Sequence, residues 1–286
     1  MVLGQAGLAR YRELVEQAWR KLPPKKPNDY SARRFVITHL MENLTESSEG
    51  VDGLIEVLAR DATSAYDVLR IAERLCADGH DDEALTWLER GLSDFEADFR
   101  LRDLAAEIHV RAGRRDQAGD MLWANFTDRP SLETFRALRQ ATARSFPPWR
   151  ERALAFLADA PPATGSWLPG RSTLVEILLD DDEIEAAWQA AVDGGCSEGL
   201  WLRLARVRAA SHPADAIPIL LRVADRSIEL RNRDSYQAAA RLLTEAKVLF
   251  ARCDRDGDFC DHMAAVRDSH RTKWALRQEL DWAHLP

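Results

Sequence analysis

The sequence of 286 residues lacks the features that would place it in several large classes of protein. A membrane span needs about 18 consecutive apolar residues, and no apolar run in the sequence is nearly that long. Residues 1–10 show no basic region followed by a long apolar block. The four cysteines, Cys76, Cys196, Cys253 and Cys260, are too few and too scattered for a disulfide scaffold. These absences predict a cytoplasmic protein with reduced thiols and no membrane partner.

The short motifs of common enzyme classes are also absent. The sequence has no Gly-rich phosphate loop, no Gly-x-Ser-x-Gly nucleophile elbow and no kinase signature. Its seven histidines include no pair that is separated by one helical turn and encloses a glutamate, which excludes the metalloprotease helix. We therefore predict a protein that is not an enzyme and needs no cofactor, with an enzyme of unrecognised type as one alternative.

What the sequence does contain is the composition of a folded protein, with 46% hydrophobic and 30% charged residues. Its net charge of −8 is unevenly distributed along the chain. Residues 1–34 carry 8 Lys or Arg against 3 Asp or Glu, residues 35–200 carry 16 against 32, and residues 201–286 carry 15 against 12. Since an acidic middle repels phosphate backbones, any nucleic-acid contact is expected near the ends.

Four segments fall into register when the sequence is shifted by 34 residues, and they begin at Gly79, Gly113, Pro147 and Asp181. A period of that length is typical of stacked helical hairpins. From about Asp61 onward, apolar residues recur with helical spacing between short turn signals, and no stretch alternates in the manner of a strand. The sequence therefore predicts an all-α solenoid.

The two clearest hairpins resemble the tetratricopeptide repeat (TPR). That family places a small residue in the first helix, a glycine near the turn, an alanine shortly after it and a proline beyond the second helix. The matching residues are Ala72, Gly79 and Ala84 in one hairpin, and Ala106, Gly113, Ala118 and Pro130 in the next. Small residues allow close approach of the helices. The resemblance implies a TPR-like α-solenoid of about five or six stacked antiparallel hairpins in a right-handed superhelix.

Two regions are expected on this basis. Residues 1–60 are off the repeat register and are predicted to form a helical cap, with helices at 8–22 and 32–44, while residues 61–286 form the TPR-like repeat region. The loop-rich segment near 159–170 is either a joint or a loop within one continuous solenoid, and we favour the loop. Two long helices, 235–252 and 259–282, are predicted to close the chain.

Several blocks resemble a second family. Residues 82–92, 129–138 and 149–154 are similar to the helical region that follows the zinc finger in bacterial SWIM zinc-finger proteins, and residues 235–243 and 270–273 are similar to their tail. Similar helical regions occur in bacterial proteins of unknown function without a finger. The finger requires Cys-x-Cys and Cys-x-His as zinc ligands, and this sequence has no Cys-x-Cys. The resemblance thus implies the helical scaffold alone.

One stretch has the composition of a metal site. Its potential zinc ligands are Cys253, Cys260 and His262, with Asp256 or Asp258 as the fourth. The spacing of these residues differs from that of compact zinc modules. A calcium-binding loop would need a glycine at a later position than Gly257 and a glutamate at the position of Ala265. We favour a turn in which Gly257 ends one helix and Asp258 caps the next, so that no metal is bound.

Two other groups of residues have structural interpretations. The acidic clusters 81–83 and 180–183 fall at predicted starts of second helices, where the helix dipole favours negative charge and Asp81 can act as a cap. Trp87, Trp123, Trp149 and Trp188 all fall in second helices. We interpret their rings as filling the space between neighbouring hairpins. An exposed row of tryptophan rings could instead stack bases or hold a peptide.

The remaining candidate contact site is a basic stripe on the predicted last helix, formed by Arg267, His270, Arg271, Lys273 and Arg277. We expect a non-enzymatic helical-repeat scaffold that mediates protein–protein interaction, with an extended segment or helix of a partner in the concave groove made by first helices. The alternative is a nucleic-acid-associated accessory protein, related to the SWIM proteins, that uses the basic C-terminal helix.

Overall fold

Regular structure is helical throughout the residues that the computed structural model describes, which are 4–25, 31–48, 50–95, 98–159 and 171–286. The helices are α1 (Gln5–Arg20), α2 (Ala32–Ser48), α3 (Gly50–Arg60), α4 (Ala65–Ala77), α5 (Asp81–Asp94), α6 (Phe99–Arg111), α7 (Arg115–Asp128), α8 (Leu132–Thr142), α9 (Phe146–Asp159), α10 (Ser172–Asp180), α11 (Ile184–Gly194), α12 (Glu198–Arg208), α13 (Pro213–Glu229), α14 (Arg233–Arg252), α15 (Asp256–Ser269) and α16 (Trp274–Trp282). The predicted all-α class is confirmed. Residues 160–170, which include most of the predicted joint or loop, lie outside the described residues.

The chain forms two compact units, Met1–Arg150 and Glu151–Pro286. Within them, consecutive helices pack as pairs, among them α4 with α5, α6 with α7, and α10 with α11. We call the even-numbered member of each pair the first helix and its successor the second helix. First helices also touch one another, since α4 packs on α6, α6 on α8, and α10 on α12. The predicted cap and repeat regions stay predictions, because compactness alone does not identify repeats.

One kind of turn closes four of the first helices. In each turn a backbone N–H just beyond the helix donates to a carbonyl in the last helical turn. The bonds run from His80 to Leu75, Arg114 to His109, Glu183 to Leu178 and Arg255 to Phe250, at 2.8, 2.8, 2.9 and 3.0 Å. The residue before each donor has positive φ, 84° at Gly79, 77° at Gly113, 59° at Asp182 and 55° at Asp254. The predicted helix-ending role of Gly79 and Gly113 is confirmed.

Small residues lie buried where the first two hairpins pack. Ala72, Ala84, Ala106 and Ala118 are all buried, as close helix approach requires. Farther along the chain, Ser131 is the N-cap residue of α8 and forms a capping box in which Thr134 bonds back.

Two capping predictions are wrong. Asp81 is already inside α5, whose N-cap residue is His80 and has no side-chain cap, and the Asp81 carboxylate instead pairs with Arg111 at 2.7 Å. In the cluster 180–183, Glu183 is the N-cap residue of α11 but its side chain does not cap the helix, while Asp180 is the last residue of α10. Asp182 lies in the turn between these two helices and has positive φ.

The predicted helix 259–282 is also wrong, because it is interrupted by a turn between α15 and α16. In one continuous helix, Leu276 and Leu280 would lie roughly 90° around the axis from Phe259, Met263 and Val266. All five side chains are buried in the same core cluster. The turn therefore resets the phase, and α16 packs on α14.

None of the helices that the structure describes has both the length and the apolar character that a membrane span requires.

Candidate functional site

A pocket of about 1020 Å³ opens in the N-terminal unit beside the first helices α2 and α4. Its lining comprises Lys25, Ser31, Ala32, Arg34, Phe35, Thr38, His39, Glu42, Leu58, Asp61, Thr63, Ser64, Ala65, Tyr66, Asp67, Arg70, Phe95 and Arg100. Arg100 belongs to α6, so three successive first helices contribute side chains. The pocket is therefore bordered by side chains of α2, α4 and α6, and the predicted concave groove stays a prediction.

A buried ion pair joins two of the elements around the pocket. The guanidinium of Arg34, in the first turn of α2, donates to the Asp61 carboxylate at 2.9 and 3.1 Å, just beyond the end of α3. The two side chains are only 7% and 8% exposed. Arg34 also donates to the Pro23 carbonyl. Because both charges are removed from water, each one depends on its partner.

A second pair connects the segment before α2 with the first turn of α4. Lys25 Nζ lies 2.9 and 3.0 Å from the two Asp67 carboxylate oxygens. The same carboxylate accepts the Thr63 N–H at 3.0 Å and the Ser64 hydroxyl at 2.8 Å. Burial opposes ionisation of Asp67, but these hydrogen bonds outweigh it and hold its pKa below the ordinary 3.8.

Asp67 should therefore make the N-terminal unit sensitive to acid. Its stabilising contribution is present above pH 3.8 and is lost as pH falls through the lower pKa of the folded state. We expect Asp67→Asn to cost about 1 kcal/mol at neutral pH, with the difference from wild type vanishing in strong acid. Urea unfolding over a pH series measures this. Asp82→Asn, on the exposed side of α5, serves as control, and the same pH trend in that variant would contradict the assignment.

A pair of ionic contacts holds α2 against α4. Arg70 lies 3.2 Å from Glu42, and Arg74 lies 2.6 Å from Glu46. The two glutamates are one helical turn apart on α2, and the two arginines are one turn apart on α4, so the contacts follow the same register on both helices. Every charged side chain that α2 and α4 contribute to the pocket thus has an opposite charge beside it, and the His39 ring also lies 3.8 Å from the Glu42 carboxylate.

The open side of the pocket is aromatic. Phe35 on α2 is 73% exposed and Tyr66 on α4 is 57% exposed. The His39 ring stacks on Phe35 with 6.2 Å between the ring centres. The hydroxyl oxygen of Thr38 is shielded from solvent and has no hydrogen-bond partner among the described residues. Uncovered aromatic rings beside unused polar atoms are typical of a surface that contacts another molecule.

The structure does not assemble the predicted basic stripe on one helix. Arg267 lies in the last turn of α15. Its guanidinium pairs with Asp281 at 2.7 Å and also donates to the Leu285 and Pro286 carbonyls. Lys273 precedes α16 and pairs with Glu229 at 3.0 Å. His270 and Arg271 lie in the turn, while Arg277 lies on the exposed side of α16. Two of the five side chains are therefore engaged within the fold.

The stretch with the composition of a metal site forms a turn between α14 and α15. In the part of the chain that the structure describes, no three His, Cys, Asp or Glu side chains are grouped to hold a metal ion. The turn was predicted, but the role of Gly257 in it was wrong. Asp254 has the positive φ, and Gly257 lies inside the first turn of α15. Asp258 also lies in the first turn of α15, and its carboxylate pairs with Arg255 at 2.6 Å.

The repeated tryptophans lie in second helices, as predicted. The Trp123 ring centre is 6.2 Å from that of Trp149 and 5.6 Å from that of Phe126. Trp188 meets Trp201 edge to face at 5.6 Å. Trp123 and Phe126 lie on the same helix, whereas the Trp123–Trp149 and Trp188–Trp201 contacts join different helices, which supports packing as the role of these rings.

The pocket residues were not predicted from the sequence. The one available signal is the apolar run Phe35, Val36 and Ile37, because three consecutive residues of a helix cannot all face the core. Only Ile37 is buried.

No protein-family model matches the chain, and no curated protein matches it significantly. The similarity to SWIM-related helical proteins therefore stays a prediction.

Proposed function

We propose that this protein is a TPR-like helical-repeat scaffold, not an enzyme, which binds an extended segment or helix of a partner protein along α2 and α4. The observation that carries the proposal is the pair of uncovered aromatic side chains, Phe35 and Tyr66, on neighbouring first helices beside a pocket of about 1020 Å³. That volume is at the upper limit of ordinary small-molecule sites and suits a peptide.

The repeat character is supported by the regular spacing of the first two hairpins. Helices α5 and α7 begin at Asp81 and Arg115, which are 34 residues apart, and glycines with positive φ precede both. First helices also touch in succession, since α4 packs on α6 and α6 on α8. Repeat proteins build their extended binding surfaces by stacking helices in this way.

The charge pattern supports a peptide ligand. Because the pocket's cations and carboxylates are largely paired with each other, a bound segment does not have to carry a particular net charge. Affinity would come from burying the Phe35 and Tyr66 rings, which are exposed on neighbouring first helices.

The test uses a photo-crosslinking amino acid placed at position 35 or 66, with Asp82 on the exposed side of α5 as the control position. We expect a discrete crosslinked protein from positions 35 and 66 and none from 82. A synthetic peptide of the crosslinked segment should then lose about tenfold in affinity for Phe35→Ala and for Tyr66→Ala. Unchanged affinity in both variants would contradict the proposal.

The nucleic-acid alternative has weaker support, because Arg267 and Lys273 already have carboxylate partners. Salt-sensitive DNA or RNA binding that is abolished by Arg271→Glu and Arg277→Glu would favour that alternative instead.

A further inference from the structure

A second groove lies in the C-terminal unit between α14 and α16, with a volume of about 570 Å³. Its lining comprises Gln237, Ala240, Arg241, Thr244, Glu245, Glu279, Trp282 and Ala283. It shares no residue with the N-terminal pocket. A function for this groove therefore does not depend on what the pocket beside α2 and α4 binds.

Both carboxylates of the groove are neutralised by arginines. Glu279 is buried, and its Oε1 accepts from Arg233 Nε at 3.0 Å. Glu245 holds the Arg206 guanidinium through two bonds of 2.9 Å, one to each carboxylate oxygen. This fork-to-fork geometry is among the stronger forms of ion pairing.

The groove is left with positive charge that has no counter-ion. Arg241 is exposed, and its Nε donates to the Gln237 carbonyl at 3.3 Å. Nearby on α14, Lys247 Nζ donates to the His284 carbonyl at 3.4 Å. A carbonyl is neutral and cannot compensate a full charge. Within the described ranges, neither cation forms an ion pair, so the groove carries an excess of positive charge.

Apolar side chains border this charge on both helices. Trp282 on α16 is 56% exposed, and the Arg233 guanidinium lies 5.2 Å from its ring centre. Val248 on α14 is equally exposed and lies two helical turns beyond Arg241, on the same side of the helix. A ligand that pairs with Arg241 therefore has apolar surface to bury next to it.

We propose that this groove binds an acidic segment of a partner protein, with a carboxylate paired to Arg241 and an apolar side chain packed on Trp282. A carboxylate matches the guanidinium fork, and the tryptophan ring provides the area that usually dominates peptide affinity. A nucleic-acid backbone fits less well. It needs a row of cations, whereas Arg241 is the one cation in the described lining of the groove, with Lys247 nearby on α14.

The test measures fluorescence anisotropy of two short fluorescein-labelled peptides with the full-length protein. One contains glutamates around a central phenylalanine, and in the other every glutamate is replaced by glutamine. We expect saturable binding of the glutamate peptide that weakens with added salt, and about tenfold weaker binding of the glutamine peptide. Arg241→Glu and Trp282→Ala should each cost about tenfold in affinity for the glutamate peptide.

The matched control is Arg277→Glu, which makes the same change in charge on the exposed side of α16, and its affinity should stay within about twofold of wild type. Arg241→Gln, which removes the charge without reversing it, should also weaken binding, and circular dichroism of each variant verifies folding. The proposal is overturned if Arg277→Glu lowers the affinity for the glutamate peptide as much as Arg241→Glu does, or if the glutamate peptide does not bind the wild-type protein saturably. Displacement of the peptide by single-stranded DNA whose own binding needs Arg241 also overturns it, as does a dimer that Arg241→Glu dissociates.

Discussion

Replacing Asp61 by alanine is expected to lower the free energy of unfolding of the N-terminal unit by about 3 to 5 kcal/mol. The Asp61 carboxylate is 8% exposed and is bonded twice by Arg34, which is 7% exposed. Without the carboxylate, the buried guanidinium loses the anion that accepts two of its hydrogen bonds, while the Pro23 carbonyl still accepts one of its N–H groups.

Urea unfolding measures the overall loss, and hydrogen exchange shows where it occurs. Because Arg34 lies at the start of α2 and Asp61 follows α3, exchange should accelerate in those two helices before it does in α7. The double variant Arg34→Met with Asp61→Leu should recover most of the lost stability, since it removes both charges and fills the space with apolar atoms.

Asp128→Ala provides a matched control for this prediction. Asp128 also pairs with an arginine, Arg102, but its carboxylate is half exposed. Exposed pairs contribute about 0 to 1 kcal/mol, so this variant should remain close to wild type. If Asp61→Ala were as mild as Asp128→Ala, the pair beside the pocket would not be desolvated, and its role in holding α2 in place would be wrong.

The repeating hairpins could be predicted from the sequence because they depend on neighbouring residues. Gly79 and Gly113 end their helices through positive φ, which glycine adopts with little strain, and the small residues Ala72 and Ala118 mark where helices meet. These signals act over a few residues of chain. The same holds for the capping box at Ser131, whose partner is only one helical turn away.

The interrupted C-terminal helix shows where local signals are insufficient. Between Asp258 and Leu285 the sequence contains neither glycine nor proline, so nothing announces a turn at 270–273. The turn exists because Leu276 and Leu280 must face the same core as Val266. Only the shifted phase of the apolar residues indicates this. The basic stripe was lost with the continuous helix on which it was placed.

The candidate pocket was not predictable, because its parts are distant along the chain. Arg34 and Asp61 are 27 positions apart, and Lys25 and Asp67 are 42 positions apart, so no local spacing rule connects these partners. Phe35 poses a different difficulty, since a phenylalanine is assigned to the core by default and only the packed structure shows it uncovered.

Replacing Phe126 by alanine is expected to cost the N-terminal unit about 3 to 5 kcal/mol, the usual effect of removing a fully buried phenylalanine. Phe126 is 0% exposed, and its ring centre lies 5.6 Å from that of Trp123 and 6.2 Å from that of Phe135. It therefore links α7 to α8, and the rigid neighbouring rings are poorly able to fill the space left by its removal. Urea unfolding monitored by circular dichroism measures the loss.

Phe35→Ala removes the same atoms from a side chain that is 73% exposed and serves as the matched control. It should change stability by no more than about 0.5 kcal/mol. The two variants thus separate the roles of chemically identical residues, because Phe126→Ala should lose stability while Phe35→Ala should lose affinity for the partner segment. A large loss of stability in Phe35→Ala would place that ring in the core and remove the main support for the binding face on α2 and α4.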